Sequence, residues 1–269
     1  MSIVARARQR PVTAAIVLVC TIIFFFESAL LAFGGPLAEQ NFFAVFALTY
    51  PGLAAGRLWT PITYMFLHGS LLHLLFNMVT LWFVGAEMER ILGRSRFLLL
   101  YLSGGVVGGL LQVFFVSSSV LIGASGGVFA VLLGFTTMFP NVLITALIFF
   151  VLPLRVRARQ LGFFLLGFAI LSELLGIMPG VGHLAHIGGG LVGIAFAYFY
   201  TNRLPWIGTS VALPGMQTVS RGFIRLVSPS SREVERIFAK VMREGLQSLT
   251  PTERAILERQ NTISQKQDR

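Results

Sequence analysis

Long apolar stretches separated by short polar segments make up most of this 269-residue chain. A helix that spans a bilayer needs about 20 apolar residues, and six stretches approach that length. They predict helices near residues 12–33, 70–90, 96–117, 123–139, 160–178 and 183–201. Composition agrees, because 55% of the residues are hydrophobic and only 12% are charged, outside the range of soluble domains. The pattern predicts an all-α, polytopic membrane protein with six transmembrane helices.

The basic residues between these predicted helices indicate their orientation. Three arginines precede the first helix, three lie between the second and third, three lie between the fourth and fifth, and the rest follow the sixth except one. That exception, Arg57, is the only basic residue on the opposite face when six spans are assumed, which is the positive-inside pattern. Both termini are therefore expected in the cytoplasm. The net charge of +10 follows from this topology and from attraction to the lipid bilayer, so no nucleic acid is expected as a partner.

An eleven-residue apolar run at 141–151 is too short to span the bilayer. A seventh span there would also place an arginine cluster or the basic tail on the wrong face. The next residues, 154–159, alternate between apolar residues and arginine, and this period of two indicates extended structure. We expect the segment to lie along the cytoplasmic membrane surface.

These patterns divide the chain into four regions. They are a cytoplasmic N-terminus, a six-helix membrane domain, a flexible cytoplasmic linker and a small helical tail, at residues 1–11, 12–201, 202–229 and 230–269. The linker is predicted from three prolines among Gly and Ser. In the tail, Thr250 and Glu253 have the spacing of a capping box at the start of a helix.

Two polar side chains lie in the apolar stretches. Burying a polar group in a membrane costs free energy, so residues at such positions often have a function. Ser125 opens the predicted fourth helix, where backbone N–H groups have no partner within the helix. An oxyanion formed there would meet free donors and the positive end of the helix dipole. His186 lies about one turn into the sixth helix, which also begins at the outer face. The two residues are therefore expected at a similar, shallow depth.

Small residues predict that the fourth and sixth helices touch. Gly126, Ala130 and Gly134 recur every four residues on one helix, and Gly189 and Gly193 do so on the other. Helix backbones in lipid approach closely only where side chains are small. Because His186 lies three residues before Gly189, this contact would bring the imidazole towards the Ser125 hydroxyl.

A further polar group opens the second helix, with His68 followed by His73 and Asn77. His73 and Asn77 are four residues apart and so share a helix face, where their donors could stabilise an oxyanion. Each of these residues also has an interpretation without chemistry, since serine and histidine serve in helix packing. Glu27 and Glu173 are expected to be interior hydrogen-bonding groups, although with the histidines they would also suit a small transporter.

Taken together, these motifs resemble those of the rhomboid family of intramembrane serine proteases. The family's HxxxxHxxxN, GxSG, AHxxGxxxG and GxxxExxxG motifs are matched in order and topology. The matching residues are His68, His73 and Asn77; Gly123 to Gly126; Ala185, His186, Gly189 and Gly193; and Gly85, Glu89 and Gly93. The resemblance covers about residues 10–201.

The resemblance implies a serine endopeptidase that cleaves transmembrane segments of other proteins, in a bacterial plasma (inner) membrane. Ser125 would be the nucleophile and His186 the general base, with the oxyanion held by His73, Asn77 and the Ser125 backbone N–H. The implied supporting residues are His68, Gly123, Gly126, Phe129, Gly189 and Gly193. The implied activity needs neither a metal nor another cofactor. The alternative is a catalytically silent relative that binds transmembrane helices.

Two positions depart from forms common in the family. Trp59 is followed by Thr60 where the family often has arginine. Phe129 replaces a tyrosine on which the histidine packs, so the ring stacking should survive without the phenol. Neither change removes a reacting group, and the chain is expected to be active.

Overall fold

The computed structural model describes residues 10–148 and 152–203, together with Ile237, Lys240, Leu249, Thr250 and Glu253. Within the first two of these ranges the chain forms helices α1 to α8 and one hairpin. The helices are Pro11–Phe46, Tyr50–Ala54, Thr60–Thr63, Leu71–Leu92, Arg94–Phe115, Ser125–Met138, Ala158–Leu175 and His183–Arg203. The strands β1 and β2 are Leu143–Ile148 and Leu152–Arg157. A 3₁₀ turn, Tyr64–Phe66, follows α3, and α4 contains a π-helical turn at Leu81–Gly85.

Five of these helices are long and apolar enough to cross a membrane, namely α1, α4, α5, α7 and α8. The protein is therefore a mostly helical, polytopic membrane protein. The fourth predicted span corresponds to α6, which has only 14 residues. At 1.5 Å per residue α6 is about 21 Å long, shorter than the roughly 30 Å hydrocarbon core. Length and composition thus support five of the six predicted spans.

The hairpin corrects the all-α expectation. Strands β1 and β2 are antiparallel, with Leu143 opposite Arg157 and Ile148 opposite Leu152. The prediction of extended structure after the fourth helix is confirmed, but the apolar run and the arginine alternation pair with each other. An extended backbone beside lipid needs a hydrogen-bonding partner, and β2 supplies it for β1.

The segment between the first and second predicted helices is partly helical. Helix α1 continues through a break at Gly35, whose φ of +75° and ψ of 178° are non-helical, and Pro36 restarts the helix. The rest of the loop folds back on this extension, since the Trp59 indole donates a hydrogen bond to the Val45 carbonyl at 2.9 Å. Two short helices, α2 and α3, complete the connection to α4.

The predicted contact between α6 and α8 is present, at the glycines that the spacing singled out. A Cβ atom added to Gly189 would overlap the Gly126 carbonyl oxygen, and one added to Gly193 would overlap the Ala130 carbonyl oxygen. The backbones of α6 and α8 therefore pack directly against each other along this face. A residue larger than glycine at position 189 or 193 would prevent this contact.

Helix α5 is a third partner that the sequence reasoning missed. A Cβ at Gly108 would overlap the Ala185 carbonyl oxygen on α8, and one at Gly104 would overlap the Ala130 side chain on α6. The signal for this contact is the pair of double glycines four residues apart in α5, at 104–105 and 108–109. Three helices thus meet at glycine faces and fix the relative positions of α6 and α8.

The start of α1 is held by Glu89 near the end of α4. One carboxylate oxygen accepts the Val12 N–H at 3.0 Å, and the other accepts the Thr13 N–H at 2.8 Å and the Thr13 hydroxyl at 2.7 Å. The glutamate is 3% exposed, so these bonds form away from water. Glu89 thereby caps a helix to which it does not belong.

The chain divides into two compact units, Met1–Leu204 and Pro205–Arg269. In the second, the Thr250 hydroxyl accepts the Glu253 N–H at 3.3 Å, and the Glu253 carboxylate accepts the Thr250 N–H at 3.0 Å. The predicted capping box is confirmed. The first nine residues, the linker from 204 and the rest of the predicted tail helices lie outside the described residues, and the predicted domain boundaries stay predictions.

Candidate active site

Ser125 and His186 come together at the beginnings of two helices. Ser125 is the first residue of α6, and His186 lies one turn into α8. The Ser125 Oγ and the His186 Nε2 are 2.8 Å apart, which is hydrogen-bonding distance. Both side chains are half-buried, so the pair is open to a reactant. The arrangement can transfer a proton from the hydroxyl to the imidazole.

Phe129 fixes the plane of the His186 ring. The two rings are stacked, with centroids 4.3 Å apart and planes 3° from parallel. Phe129 lies four residues after Ser125 and so shares its helix face. The stacking expected at this position is therefore present with phenylalanine, and α6 supplies both the hydroxyl and the surface against which the imidazole rests.

The turn before Ser125 is anchored by Tyr64 from the 3₁₀ segment. Gly123 has a φ of +119°, a conformation that favours glycine, and its N–H donates to the Tyr64 carbonyl at 2.9 Å. The Tyr64 hydroxyl donates to the Gly105 carbonyl on α5 at 2.6 Å. Burial raises the pKa of Tyr64 well above its ordinary value, so this hydroxyl remains a donor at neutral pH. Sequence reasoning did not give Tyr64 this role.

The first turn of α6 presents backbone donors. The bond from the Val128 N–H to the Ala124 carbonyl, at 3.0 Å, is the first of the helix. The three N–H groups from Ser125 to Gly127 come before it and have no acceptor within the helix. Ala124, the residue before the helix, provides no side-chain cap. These donors are directed towards the end of the helix where Ser125 lies.

His73 lies against the same turn. A Cβ atom added to Gly123 would be 2.6 Å from the His73 Nε2, so only glycine leaves room for this imidazole. His73 is in the first turn of α4, where the Ser70 hydroxyl caps its N–H at 3.2 Å. His73 thus contacts Gly123, which lies two residues before Ser125 in the chain.

His68 supports His73 from the loop before α4. Their ring centroids are 5.1 Å apart in an edge-to-face arrangement. His68 is 1% exposed, and burial, with a smaller contribution from His73, lowers its pKa to about 4. It is therefore neutral at pH 7. Its backbone N–H donates to the buried Glu27 carboxylate at 3.2 Å, which confirms Glu27 as an interior hydrogen-bonding group.

Asn77 is buried one turn further along α4. Its Nδ2 donates to the His73 carbonyl at 2.9 Å, so one amide hydrogen is used within the helix. An amide group carries two such hydrogens, and the second remains available in this bond pattern. The role of Asn77 as an oxyanion donor stays a prediction.

His183 and Gln112 are neighbours of the pair that sequence reasoning did not identify. The His183 ring centroid is 6.1 Å from that of His186, and its Nε2 is 2.9 Å from the Ile177 carbonyl oxygen. Both residues line a cavity of about 420 Å³, together with Glu173. A histidine three residues before His186 was a visible signal, whereas nothing in the sequence connects Gln112 to this region.

Thr60, at the first departure from the family pattern, is fully buried. Its hydroxyl donates to the Arg57 carbonyl at 2.8 Å, and the Arg57 guanidinium donates to the Ala44 carbonyl. The arginine three positions earlier therefore ties the loop to the end of α1.

The sequence of this chain was compared with protein-family models and with known proteins. The rhomboid domain family model matches residues 55–203, which is more than half of the chain. The chain belongs to the rhomboid family. The matched residues include α3 to α8, and therefore Ser125 and His186 with their neighbours.

Individual rhomboid proteins are similar at modest identity. RHOMBOID-like protein 4 of Arabidopsis thaliana is 37% identical over 158 residues, 55% of this chain and 36% of that protein. Rhomboid protease GluP of Bacillus subtilis is 37% identical over 99 residues, 37% of this chain and 19% of its own. Rhomboid protease GlpG of Salmonella typhi is 26% identical over 204 residues, 73% of this chain and 65% of its own. The chain thus spans between a fifth and two thirds of these relatives.

Proposed function

We propose that this chain is an intramembrane serine endopeptidase that cleaves transmembrane segments of other membrane proteins. One observation carries the proposal: the 2.8 Å separation of the Ser125 Oγ and the His186 Nε2, beside unpartnered helix donors. The stacking on Phe129 supports it, because a general base must be held in one orientation.

In the proposed reaction, His186 takes the Ser125 proton as the hydroxyl attacks a substrate carbonyl. The tetrahedral intermediate collapses, and His186 returns the proton to the leaving amine. A water molecule, activated by the same imidazole, then hydrolyses the acyl-enzyme. Phe129 takes the orienting place that a carboxylate has in a catalytic triad.

The negative oxygen of the intermediate would lie at the beginning of α6. The backbone N–H of Ser125 and the positive end of the helix dipole favour charge there. His73, which lies against Gly123, and the second amide hydrogen of Asn77 are proposed as further donors.

The proposed topology has six spans, with α6 as a short fourth one, and both termini in the cytoplasm of a cell whose plasma membrane holds the protein. Ser125 and His186 then lie near the outer face, within reach of water. The substrate would be a transmembrane helix that unwinds locally, because a helical peptide bond is shielded by its own hydrogen bonds.

The proposal is tested with purified protein in liposomes and a set of model transmembrane substrates. We expect the wild-type protein to cleave at least one substrate, and Ser125→Ala and His186→Ala to be slower by about 1,000-fold or more. Ser103→Ala is the matched control, because among the described residues that serine hydroxyl donates only to the Leu100 carbonyl within its own helix.

Equal cleavage by Ser125→Ala and wild type would refute the serine mechanism. If the wild-type protein cleaves nothing but binds transmembrane helices equally well with and without Ser125, the catalytically silent alternative is correct.

A further inference from the structure

Helix α8, which carries His186, has no cap of its own. It begins at His183, and the residue before it, Gly182, has no side chain with which to accept a hydrogen bond. The first N–H groups of any helix need acceptors from elsewhere when they are buried. A helix that positions a catalytic base therefore depends on whatever satisfies its first turn.

Gln112, near the end of α5, supplies the missing acceptor. Its Oε1 accepts the Leu184 N–H at 3.0 Å and the Ala185 N–H at 3.3 Å. The residue is 4% exposed, so these bonds are largely shielded from water.

The remaining donors of this first turn have partners in the local chain. The His183 N–H donates to the Val181 carbonyl at 2.9 Å, and the His186 N–H donates to the Gly182 carbonyl at 3.1 Å. The bonds to Gln112 are thus the only ones of the four that tie this turn to another helix. His186 is the residue that follows them directly.

One side of this helix start is open. The 420 Å³ cavity lies beside it, lined by His183 and Gln112 among others. Space on that side would allow the His183 end of α8 to shift, whereas Ala185 packs on Gly108 of α5 and the later glycines are held against α6. A shift of about 1 Å at His186 is enough to impair proton transfer strongly.

We infer that Gln112 is a positioning residue for the reaction, which caps α8 from α5 and thereby fixes His186 relative to Ser125. This inference rests on the proposed protease function. To cap α8, the side chain at position 112 needs an oxygen at its end that accepts hydrogen bonds, and the amide nitrogen is not needed. A glutamate would provide that oxygen, and the positive end of the helix dipole would favour its charge. A methionine has a similar length and no such oxygen.

The test compares Gln112→Met and Gln112→Glu with the wild-type protein, using a cleavable substrate and active-site titration to count folded enzyme. We expect Gln112→Met to lower kcat by about 10- to 100-fold with KM within about two-fold, because substrate binding is unaffected while the base is misplaced. Gln112→Glu should retain kcat within about three-fold. Thr136→Val is the control for loss of a buried polar group, since in the described part of the chain its hydroxyl bonds only to the Leu133 carbonyl within α6.

A Gln112→Met protein with unchanged kcat would overturn the inference, as would a Gln112→Glu protein as slow as Gln112→Met. Because the rates are per titrated site, simple misfolding of Gln112→Met would lower the number of sites and leave kcat unchanged, which also counts against positioning. If the wild-type protein cleaves no substrate, the proposed function fails first. If it cleaves and Gln112→Met equals it, only this inference fails.

Discussion

Helices α6 and α8 both begin at the candidate site, but the backbone N–H groups of their first turns differ in whether they have hydrogen-bond acceptors. At the start of α8 the backbone donors are satisfied, two of them by Gln112 from α5. At the start of α6 the residue before the helix gives no cap, and the donors beside Ser125 are left without partners in the helix. In the proposed reaction, α8 holds the base in place, whereas α6 meets a charge that arises only as the substrate reacts.

The start of α1 shows what capping does where no chemistry is expected. Glu89 satisfies its first turn with three hydrogen bonds. Glu89 is 16 residues along α4 from His73, about 24 Å at helical rise. Its role is to join α1 to α4. The uncapped start of α6 thus differs from both other helices, at the position of the proposed nucleophile, Ser125.

Separating α6 from α8 should have the largest effect. We expect Gly189→Val to lower kcat/KM by about 100-fold or more, because the added side chain would overlap the Gly126 carbonyl and move His186 from Ser125. Gly167→Ala is the control, since a Cβ there meets nothing within 4 Å. Substrate cleavage and thermal unfolding in detergent measure both. Full activity of Gly189→Val would show that the close contact does not position the pair.

Removing Glu89, which caps α1 far from the candidate site, should lower stability without changing kcat. We expect Glu89→Ala to lower the free energy of unfolding by about 3 kcal/mol, because three donors, two of them buried, lose a charged acceptor. The kcat per titrated site should stay within two-fold of wild type. Glu87→Ala, which breaks partly exposed ion pairs to Arg10 and Arg90, should cost under about 1 kcal/mol. A lower kcat in Glu89→Ala would mean that this cap also influences the site.

Removing the ring beneath His186 should have a smaller effect on the rate. We expect Phe129→Ala to lower kcat by about ten-fold, equivalent to roughly 1.4 kcal/mol, because the imidazole loses its stacking partner. Phe129→Tyr should remain within two-fold of wild type, since it keeps the ring. Steady-state cleavage kinetics measure both. If Phe129→Ala matches the wild type, other contacts orient the base.

The smallest expected effect is a pH dependence at the turn between α3 and α4. Burial holds the pKa of His68 at about 4 in the folded protein, below its ordinary value of 6.5. The unfolded chain therefore binds the proton more readily, and folding stability should be complete above pH 6.5 and fall as the pH drops from 6.5 towards 4. Between pH 7 and 5.5 we expect a loss of about 1 kcal/mol that His68→Asn lacks. Equal losses in both proteins would exclude His68 as the source.

Much of the site could be predicted because its signals are local. Ser125 at a helix start, Gly189 and Gly193 at a fixed spacing, and Phe129 four residues after the serine are all visible along one segment. Because an α-helix has 3.6 residues per turn, residues three or four positions apart lie on the same face of the helix. Depth in the membrane then follows from the predicted topology.

The features that were missed depend on partners far away in sequence. Gln112 lies 72 residues before Leu184, and an isolated glutamine in an apolar helix gives no sign of which backbone it meets. The hairpin was missed for a related reason: alternation predicts an extended segment but does not name the strand that pairs with it. The length of α6 was overestimated because apolar character continues past both ends of the helix.

The most direct measurement of the central claim is the site of reaction with a serine-directed fluorophosphonate probe, located by mass spectrometry of the labelled protein. The account predicts that the probe modifies Ser125, that the rate falls strongly in His186→Ala, and that Ser125→Ala is unlabelled. Labelling of a different serine, or equal labelling with and without His186, would contradict it.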